Sequence, residues 1–531
     1  MALKRFPIGV QDFVQVRNNG YYYVDKTDLV YNLTHTSQYY FLSRPRRFGK
    51  SLLISTLQYY FEGRKELFTS LAMERLETEW KKYPVIRLDL STVKNLEAET
   101  FASNMNEILA ANEEKYGINN DSSNQAWGSR LSSLIRAANA QTGEQVVVLV
   151  DEYDAPVLEA MGDAALQEKV RNRMRDLYAP LKALGGILRF VFLTGISKFS
   201  QLSIFSELNN LNVITMDDEY AAICGITKEE LLTQMQPEIQ ALADKQGMTY
   251  NEAVAALQRQ YDGYHFCENS PDIYNPFSLI NSLSKLNLAN YWFASGTPTV
   301  LTKAMARYKL SPEEYDRGFD VKQSSFDAPT ETAETPIPIL YQSGYLTIKG
   351  YDKNAVRPYK LQFPNDEVRE GLLDLLTCTY TSKNGDDTSE FLDHFITAMK
   401  AGDLETALTE MRAFMASIPY DIEKQNELHY RTIFYLIFRI ASPYLVRSEE
   451  RTAAGRADAV VETADSVYVF EFKLDKNGTV DDALKQIDDK GYLLPYSVVN
   501  KADGTLKSLY KIGAAFDTEK RTIGEWKIQK C

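Results

Sequence analysis

The chain has 531 residues, of which 44% are hydrophobic and 25% are charged, a composition typical of folded proteins with several domains. Its 72 acidic residues outnumber 59 basic ones, and the net charge of −13 excludes a polycationic coat that covers nucleic acid without selectivity. The 4 cysteines lie far apart and form no C-x-x-C pair, which disfavours a zinc site and favours a reducing compartment. The sequence has no secretory signal and no run of about 18 apolar residues, so we expect a cytoplasmic protein without a transmembrane helix.

The first part of the chain alternates short buried strands with helices. Apolar runs predict strands at Tyr39–Ser43, Pro84–Leu90, Gln145–Val150 and Leu188–Leu193, and a periodic stretch predicts a helix over Ser51–Tyr60. Strands separated by helical segments are typical of a parallel sheet that is covered on both faces. We therefore predict an α/β fold with a parallel core.

The pattern then becomes helical up to about residue 320, and two polar stretches, Ser324–Pro336 and Thr381–Ser389, are typical of linkers. Between them lies a helix–hairpin–helix pattern that resembles a winged helix, with strands at Tyr345–Lys349 and Tyr359–Phe363 and a last helix over Glu367–Leu376. The remaining residues predict helix, helix, helix, strand, strand, helix, strand. We expect four regions: an α/β core over 1–222, a helical lid-like region over 223–323, a winged-helix-like connector over 324–388 and a C-terminal α/β domain over 389–531.

A basic loop follows the first predicted strand. Its sequence, Arg44-Pro-Arg-Arg-Phe-Gly-Lys-Ser51, matches the end of the Walker A pattern but carries Arg44 in place of the first glycine. Gly49 lets backbone N–H groups approach phosphates at the positive end of the next helix, Lys50 reaches the β- and γ-phosphates, and Ser51 ligates Mg²⁺. The arginines at 44, 46 and 47 add positive charge, although a solvated basic turn is the alternative. The predicted nucleotide-binding residues of the loop are Arg46, Arg47, Phe48, Gly49, Lys50, Ser51 and Leu52.

Two further strand ends carry polar residues. The run Val146–Val150 leads into Asp151 and Glu152, a Walker B pattern in which Asp151 holds Mg²⁺ and Glu152 polarises the attacking water. Thr194 ends the next strand and is placed to sense the γ-phosphate. Ordinary strand-end polarity is the alternative, but the order and spacing match the loop. The residues therefore predict nucleotide binding without separating ATP from GTP.

Several segments together resemble a known family. They are Pro7-Ile-Gly-Val-Gln-Asp-Phe13, Tyr23-Val-Asp-Lys-Thr27, the phosphate-binding loop, Asp151-Glu-Tyr-Asp-Ala-Pro156, Thr194-Gly-Ile-Ser-Lys-Phe199, Phe205-Ser-Glu-Leu-Asn209, Tyr261-Asp-Gly-Tyr264, Tyr291-Trp-Phe293 and Ser295-Gly-Thr-Pro298. The chain resembles the AAA-ATPase-like family, whose members usually carry a PD-(D/E)xK nuclease-like domain at the C-terminus. The resemblance implies that the nucleotide is ATP and that Arg44 is the family's normal residue. An arginine finger in a homo-oligomer stays open, although a solvated helix face better explains Arg171, Arg173 and Arg175.

Near the C-terminus, two β-rich runs surround a polar break at Ala464-Asp465, which predicts a hairpin. With these two residues as the loop, Asp458 lies opposite Glu471, and Lys473 shares the same face. Two acids and a lysine suit a metal-dependent nuclease. Asp458 and Glu471 hold Mg²⁺ or Mn²⁺, and Lys473 stabilises developing charge or orients the attacking water. A structural Glu–Lys ion pair is the alternative, because it also compensates buried charge.

The neighbouring helices add two candidate residues. Glu427 precedes the hairpin and supplies a third acid, while Gln486 follows it, with Lys490 on the same helix face. This helix–strand–strand–helix order resembles the restriction-endonuclease-like core of the PD-(D/E)xK superfamily, with Ala457 where the superfamily's name has proline. The resemblance implies a catalytic group made of Glu427, Asp458, Glu471, Lys473 and Gln486.

We therefore predict an ATPase joined to a nuclease. Lys50, Ser51, Asp151 and Glu152 bind and hydrolyse Mg-ATP, and the nucleotide gates cleavage of nucleic acid at the second site, with DNA favoured over RNA. The alternative is a nucleotide-dependent switch whose C-terminal domain binds nucleic acid or a protein partner without cutting. No membrane partner is expected.

Overall fold

The computed structural model describes residues 4–93, 96–118, 126–161, 163–198, 211–294, 308, 317–330, 333–381, 385–418, 427–441, 447–448, 451–452, 455–501, 503–517, 519–520 and 522–531. These residues form two compact units, one ending at Arg369 and one beginning at Glu370. The boundary lies inside the connector predicted over 324–388. The division into four regions stays a prediction.

The core of the first unit is a parallel sheet. Its strands are β1 (Tyr39–Ser43), β2 (Val85–Asp89), β3 (Val146–Asp151), β4 (Leu188–Gly195) and β5 (Asn212–Val213). Within the described residues these five strands have the order β2-β3-β4-β1-β5, and every neighbouring pair is parallel. The four predicted strands are confirmed, and β1 and β3 are buried throughout, as strands covered on both faces should be. The carboxyl ends of β1, β3 and β4 therefore meet at one edge of the sheet.

Helices fill the connections between these strands. They are α1 (Phe13–Asn18), α2 (Thr27–Thr36), α3 (Lys50–Phe61), α4 (Ala72–Leu76), α5 (Ala98–Lys115), α6 (Trp127–Thr142), α7 (Ala155–Glu159) and α8 (Ala164–Ala183). Helix α3 begins at Lys50, directly after the loop that leaves β1, as the sequence predicts. The loop therefore ends at the N-terminus of a three-turn helix.

The rest of the first unit has an apolar helical cluster and a small antiparallel sheet. The cluster includes residues of α9 (Lys228–Gln234), α10 (Gln236–Gln246), α11 (Tyr250–Tyr261), α12 (Pro276–Lys285) and α13 (Tyr291–Ala294), and it lies beside the strand pair β6 (Ile226–Thr227) and β7 (Ile273–Tyr274). The sheet is formed by β8 (Phe319–Val321), β9 (Thr347–Tyr351) and β10 (Tyr359–Gln362), and the same part of the chain contains α14 (Gln323–Phe326) and α15 (Ile337–Gln342). Helix α16 (Asp366–Thr381) follows β10 and spans the boundary between the two units. The predicted helix–hairpin–helix order is confirmed. The short strand β8 was not predicted, and α14 occupies the beginning of the stretch predicted as a linker.

The second unit is a mixed sheet between helices. Its elements are α17 (Gly385–Ala401), α18 (Leu404–Ala416), α19 (Glu427–Ala441), β11 (Arg447–Ser448), β12 (Arg451–Thr452), β13 (Gly455–Arg456), β14 (Ala459–Glu462), β15 (Ser466–Leu474), α20 (Val480–Asp489), β16 (Ser508–Asp517) and β17 (Thr522–Lys530). Strands β11-β14-β15-β16-β17 lie side by side in this order, and β15 pairs with β16 in parallel. The prediction of a single last strand was wrong, because β16 and β17 form an antiparallel pair.

The hairpin of β14 and β15 has the predicted register. Ala459 pairs with Phe470 and Glu462 with Val467, which leaves Ala464 and Asp465 as the loop residues. Tyr468 and Phe470 pack among residues of α17, α18 and α19, whereas Val467 and Val469 pack with Ile487 of α20. Because side chains alternate along a strand, Glu471 and Lys473 belong to the α20 face. None of the described helices combines the length and the apolar character needed to span a membrane.

Candidate active sites

The loop between β1 and α3 contains two residues with left-handed backbone. Arg47 and Gly49 have φ values of 67° and 96°, and left-handed residues of this kind occur in the turns that form anion-binding sites. The Lys50 Nζ atom donates to the carbonyl oxygens of Arg44 and Pro45, at 3.1 Å each. The lysine charge is therefore held against the loop at the N-terminus of α3, where the helix also favours anions.

The arginines of the loop have different surroundings. Arg46 and Arg47 are exposed, and the Arg47 guanidinium lies 3.9 Å from the centre of the Phe277 ring. Arg44 is only 1% exposed. Its Nη atoms donate to the carbonyls of Ser43, Thr215, Tyr220 and Ala221, and its guanidinium lies over the Phe266 ring. The Nη donors of Arg44 therefore bind backbone carbonyls, and the positive charge that Arg44 is expected to add at the loop stays a prediction.

Phe48 and Leu52 belong to the loop by position. The Phe48 ring is buried against the rings of Tyr264 and Phe266, and its carbonyl accepts a hydrogen bond from the Gly225 amide. Leu52 lies half-buried in the first turn of α3. Any contact of Phe48 with a nucleotide is therefore left to its backbone, while its ring anchors the loop on the segment that contains the Tyr261-Asp-Gly-Tyr264 motif.

The acids predicted to hold magnesium and activate water lie at the end of β3. Asp151 is 1% exposed, and its Oδ1 atom makes no hydrogen bond within the described part of the chain. Burial raises the pKa of Asp151, and the Ser51 hydroxyl and Lys50 charge partly offset this effect. Glu152 has φ 51°, a left-handed value that is uncommon for glutamate and that tends to persist at functional sites. Ser51, Lys50 and the two acids thus meet at the carboxyl edge of the sheet.

Thr194 is fully buried at the end of β4, and its hydroxyl donates to the Leu42 carbonyl of β1 at 2.8 Å. Its role as a γ-phosphate sensor stays a prediction. Asp154 is a residue to which sequence reasoning gave no chemical role. Its Oδ2 atom accepts hydrogen bonds from the Ile196 amide at 3.0 Å and from the Ser197 amide and hydroxyl at 2.7 Å. Burial, with the charge of Glu152, raises the pKa of Asp154 to about 6.

The second site brings together most of the residues predicted for it. Lys473 Nζ donates to Glu471 Oε1 at 3.1 Å and to Gln486 Oε1 at 2.6 Å, while Gln486 Nε2 donates to Glu471 Oε1. Asp458 Oδ2 accepts the Phe472 amide at 2.9 Å, which places this carboxylate beside the strand that carries Glu471. These contacts form a closed triangle of glutamate, lysine and glutamine with an aspartate next to it.

The Glu471 carboxylate is 3% exposed, and its Oε2 atom has no hydrogen-bond partner among the described residues. Burial and the nearby charge of Asp458 raise its pKa to about 7, although Lys473 acts in the opposite direction. Two carboxylates that repel each other while one oxygen stays unpaired fit a divalent cation, which prefers carboxylate oxygen. The described residues contain no group of three His, Cys, Asp or Glu side chains that could hold a metal alone. Glu427 begins α19, but its side chain lies outside the described residues.

Gly513 lets α20 approach the sheet. It pairs with Glu471 across β15 and β16, and a Cβ atom there would lie 2.6 Å from the Val480 carbonyl oxygen. Because no real side chain tolerates that distance, only glycine allows the helix to sit this close. The close approach puts Gln486 within reach of Lys473.

Outside these sites, Arg173 and Arg175 are exposed on α8, whereas Arg171 is half-buried, and the Arg173 guanidinium lies 5.2 Å from the centre of the Trp127 ring. The segments Phe205–Asn209 and Ser295–Pro298, which contributed to the resemblance, lie outside the described residues. The parallel sheet, its loop and its strand-end acids define a P-loop NTPase core, and the C-terminal sheet carries a constellation of the PD-(D/E)xK type.

Comparisons with known proteins agree with this class. The family described as "Predicted AAA-ATPase" matches residues 7–205, and the "PD-(D/E)XK nuclease superfamily" matches residues 425–526. A protein of Azotobacter chroococcum mcd 1, described as "Uncharacterized protein in vnfD 5'region", is 34% identical over 536 residues, with 98% of both chains covered. The chain belongs to the AAA-ATPase-like family and carries a C-terminal domain of the PD-(D/E)XK nuclease superfamily.

Proposed function

We propose that this protein binds and hydrolyses ATP at the loop of the first unit and cleaves nucleic acid at the Asp458–Glu471–Lys473 site of the second unit. The observation that carries the nuclease half is the buried, unpaired Glu471 Oε2 atom beside Asp458, within reach of a lysine that is already oriented. Magnesium bound by Asp458 and Glu471, or manganese in its place, would supply positive charge to the scissile phosphate.

The residues of the second site have separable tasks in this proposal. Glu471 Oε1 and Gln486 Oε1 fix the Lys473 ammonium by two hydrogen bonds, so that its remaining N–H can reach a water molecule or a phosphate oxygen. Gln486 in turn holds Glu471 by its Nε2 atom. Positioning of this kind reduces the reorganisation needed during the reaction.

At the first site, Lys50 exchanges its two carbonyl acceptors for phosphate oxygens, and Arg46 and Arg47 are exposed beside it. Ser51 and Asp151 are the residues that would hold magnesium, which would neutralise the negative charge that develops on the transferred phosphate. Glu152 orients the attacking water. The separated cysteines favour a reducing cytoplasm as the place of action.

The ATP half is tested with Lys50→Ala beside Lys182→Ala, an exposed lysine on α8. We expect Lys50→Ala to lower ATP hydrolysis by at least about a hundredfold, because the lysine contacts the phosphates, and Lys182→Ala to behave like the unaltered protein. Normal hydrolysis by Lys50→Ala would contradict this assignment.

The nuclease half is tested on plasmid DNA, linear DNA and structured RNA with Mg²⁺ or Mn²⁺, with and without ATP. Lys473→Ala and Glu471→Gln should abolish metal-dependent cutting, whereas Lys476→Ala, an exposed lysine just after the same strand, should keep it. DNA is expected to be the better substrate. Intact ATP binding without cutting of any substrate would instead favour a nucleotide-dependent switch that binds nucleic acid or a partner.

A further inference from the structure

The backbone that follows β4 is held by side chains rather than by secondary structure. Asp154 accepts the amides of Ile196 and Ser197, and Gln342 Oε1 accepts the next amide, that of Lys198, at 2.8 Å. Three consecutive N–H groups are thus bound by two buried side chains. One of these side chains comes from the Walker B segment and the other from α15.

Gln342 is itself fixed by its second functional group. It is 6% exposed, and its Nε2 atom donates to the carbonyls of Phe326 at 3.0 Å and Ala328 at 2.8 Å. Next to it, Lys198 Nζ forms an ion pair with Asp327 Oδ2 at 2.7 Å. The segment after β4 is therefore tied twice to the residues around α14.

The backbone just after α15 lies close to the phosphate-binding loop. Gly344 has φ +88°, and a Cβ atom on it would lie 2.7 Å from the Cβ atom of Pro45. From Phe326 the contacts continue to the small sheet, because its ring packs on Tyr359 of β10 with 5.1 Å between ring centres. The end of α15 and the residues just after it thus lie against both the segment after β4 and the phosphate-binding loop.

We propose that Gln342 is a positioning residue for ATP turnover and that its bond to Lys198, with the Lys198–Asp327 ion pair, couples the nucleotide site to the β8–β10–β9 sheet. This inference rests on the proposed ATPase function. Gln342 fixes the position of the Lys198 backbone at the end of the segment 196–198. A movement of the phosphate-binding loop or of β4 would therefore move α15, and through Phe326 it would move Tyr359. The role is one of position, because Gln342 bonds to the backbone of Lys198, Phe326 and Ala328.

The test compares Gln342→Ala with Gln323→Ala, an exposed glutamine in the same region. We expect kcat for ATP hydrolysis to fall by about tenfold or more in Gln342→Ala, because misplaced catalytic groups lose rate steeply, while the Kd for ATP changes by less than about threefold. Gln323→Ala should match the unaltered protein. Equal kcat values in the two folded variants would overturn the positioning role.

The coupling is read by hydrogen exchange of residues 345–362 with and without a non-hydrolysable ATP analogue and Mg²⁺. The analogue should change protection there in the unaltered protein, and Lys198→Met and Asp327→Asn should reduce that change by at least about half. These two variants also serve if Gln342→Ala does not fold, with thermal melting as the check. Unchanged exchange on analogue binding would overturn the coupling alone, whereas absence of ATP binding by the unaltered protein would overturn the proposed function as well.

Discussion

The Glu471 carboxyl group has one bonded oxygen and one unpaired oxygen, and this asymmetry has a thermodynamic effect. Its pKa is about 7 in the folded chain and about 4.3 in an unfolded one, so the neutral form is the one that folding favours. Its contribution to stability is complete below about pH 4.3 and is lost as the pH rises through about 7. Acidification therefore stabilises this site, the reverse of a salt-bridged carboxylate with a depressed pKa.

We expect the free energy of unfolding of the second unit, measured with urea in the presence of a chelator, to fall by about 1–3 kcal/mol between pH 5 and pH 8 through this group. Glu471→Gln should remove that part of the pH dependence, whereas the exposed Glu525→Gln should keep it. Identical pH profiles for Glu471→Gln and the unaltered protein would contradict the assignment. Metal affinity should rise over the same pH range, because the cation needs the ionised carboxylate.

At the scale of single residues, the sequence indicates which side chains can do chemistry better than it indicates which partners those side chains contact. Lys50 and Asp151 could be selected from the Walker patterns, and Glu471 and Lys473 because charge inside an apolar strand is costly without a partner or a metal. Arg44 belongs to the same basic loop, yet its side chain serves backbone carbonyls, a difference that only the fold reveals. Gln342 leaves no signal in the sequence at all.

At the scale of elements, the position of α20 depends on one glycine. Gly513→Ala would place a Cβ atom 2.6 Å from the Val480 carbonyl, so the helix must move away from β16. We expect metal-dependent cleavage to fall by about tenfold, because Gln486 is then displaced from Lys473 and Glu471.

The matched control is Gly350→Ala, where the nearest atom is 3.6 Å away and no strain arises. Far-ultraviolet circular dichroism should show that both variants are folded. Full cleavage by Gly513→Ala would mean that the Gln486 contacts do not matter for the reaction. A rise in melting temperature would contradict the predicted clash.

Helices and strands were predictable where the sequence has a long apolar run or a clear hydrophobic periodicity. The strands of the parallel core are continuous apolar runs, and the β14–β15 register followed from a two-residue loop. Strands β5 and β8 were missed because strands of two and three residues are too short to show an alternating hydrophobic pattern. Strands β15 and β16 pair in parallel, and the chain between them contains α20, so no local sequence pattern predicts this pairing.

At the scale of the whole molecule, the described residues form two units, and each has its own sheet. We expect calorimetry to resolve two thermal transitions. Mn²⁺ without nucleotide should raise one of them and an ATP analogue the other, since a ligand at a hundred times its Kd stabilises its own unit by about 2.7 kcal/mol. Lys50→Ala should abolish only the shift caused by the nucleotide, and Glu471→Gln only the shift caused by the metal.

A single transition that both ligands shift together would contradict this expectation and would mean that the units unfold as one body. The comparison needs no knowledge of the substrate, because it measures binding and not turnover. It also gives each unit an assay of its own in the full-length chain.

The place of β15 in its sheet has a consequence for biosynthesis. Asp458, Glu471, Lys473 and Gln486 all precede residue 490 in the chain, but β15 lies between β14 and β16, and β16 is covered in turn by β17, which ends at Lys530. During translation these side chains therefore leave the ribosome before strands β16 and β17, which pair beside β15. We therefore expect the candidate nuclease site to reach its final packing only after β16 and β17 have emerged, which leaves it incompletely packed while the nascent chain is still close to messenger RNA.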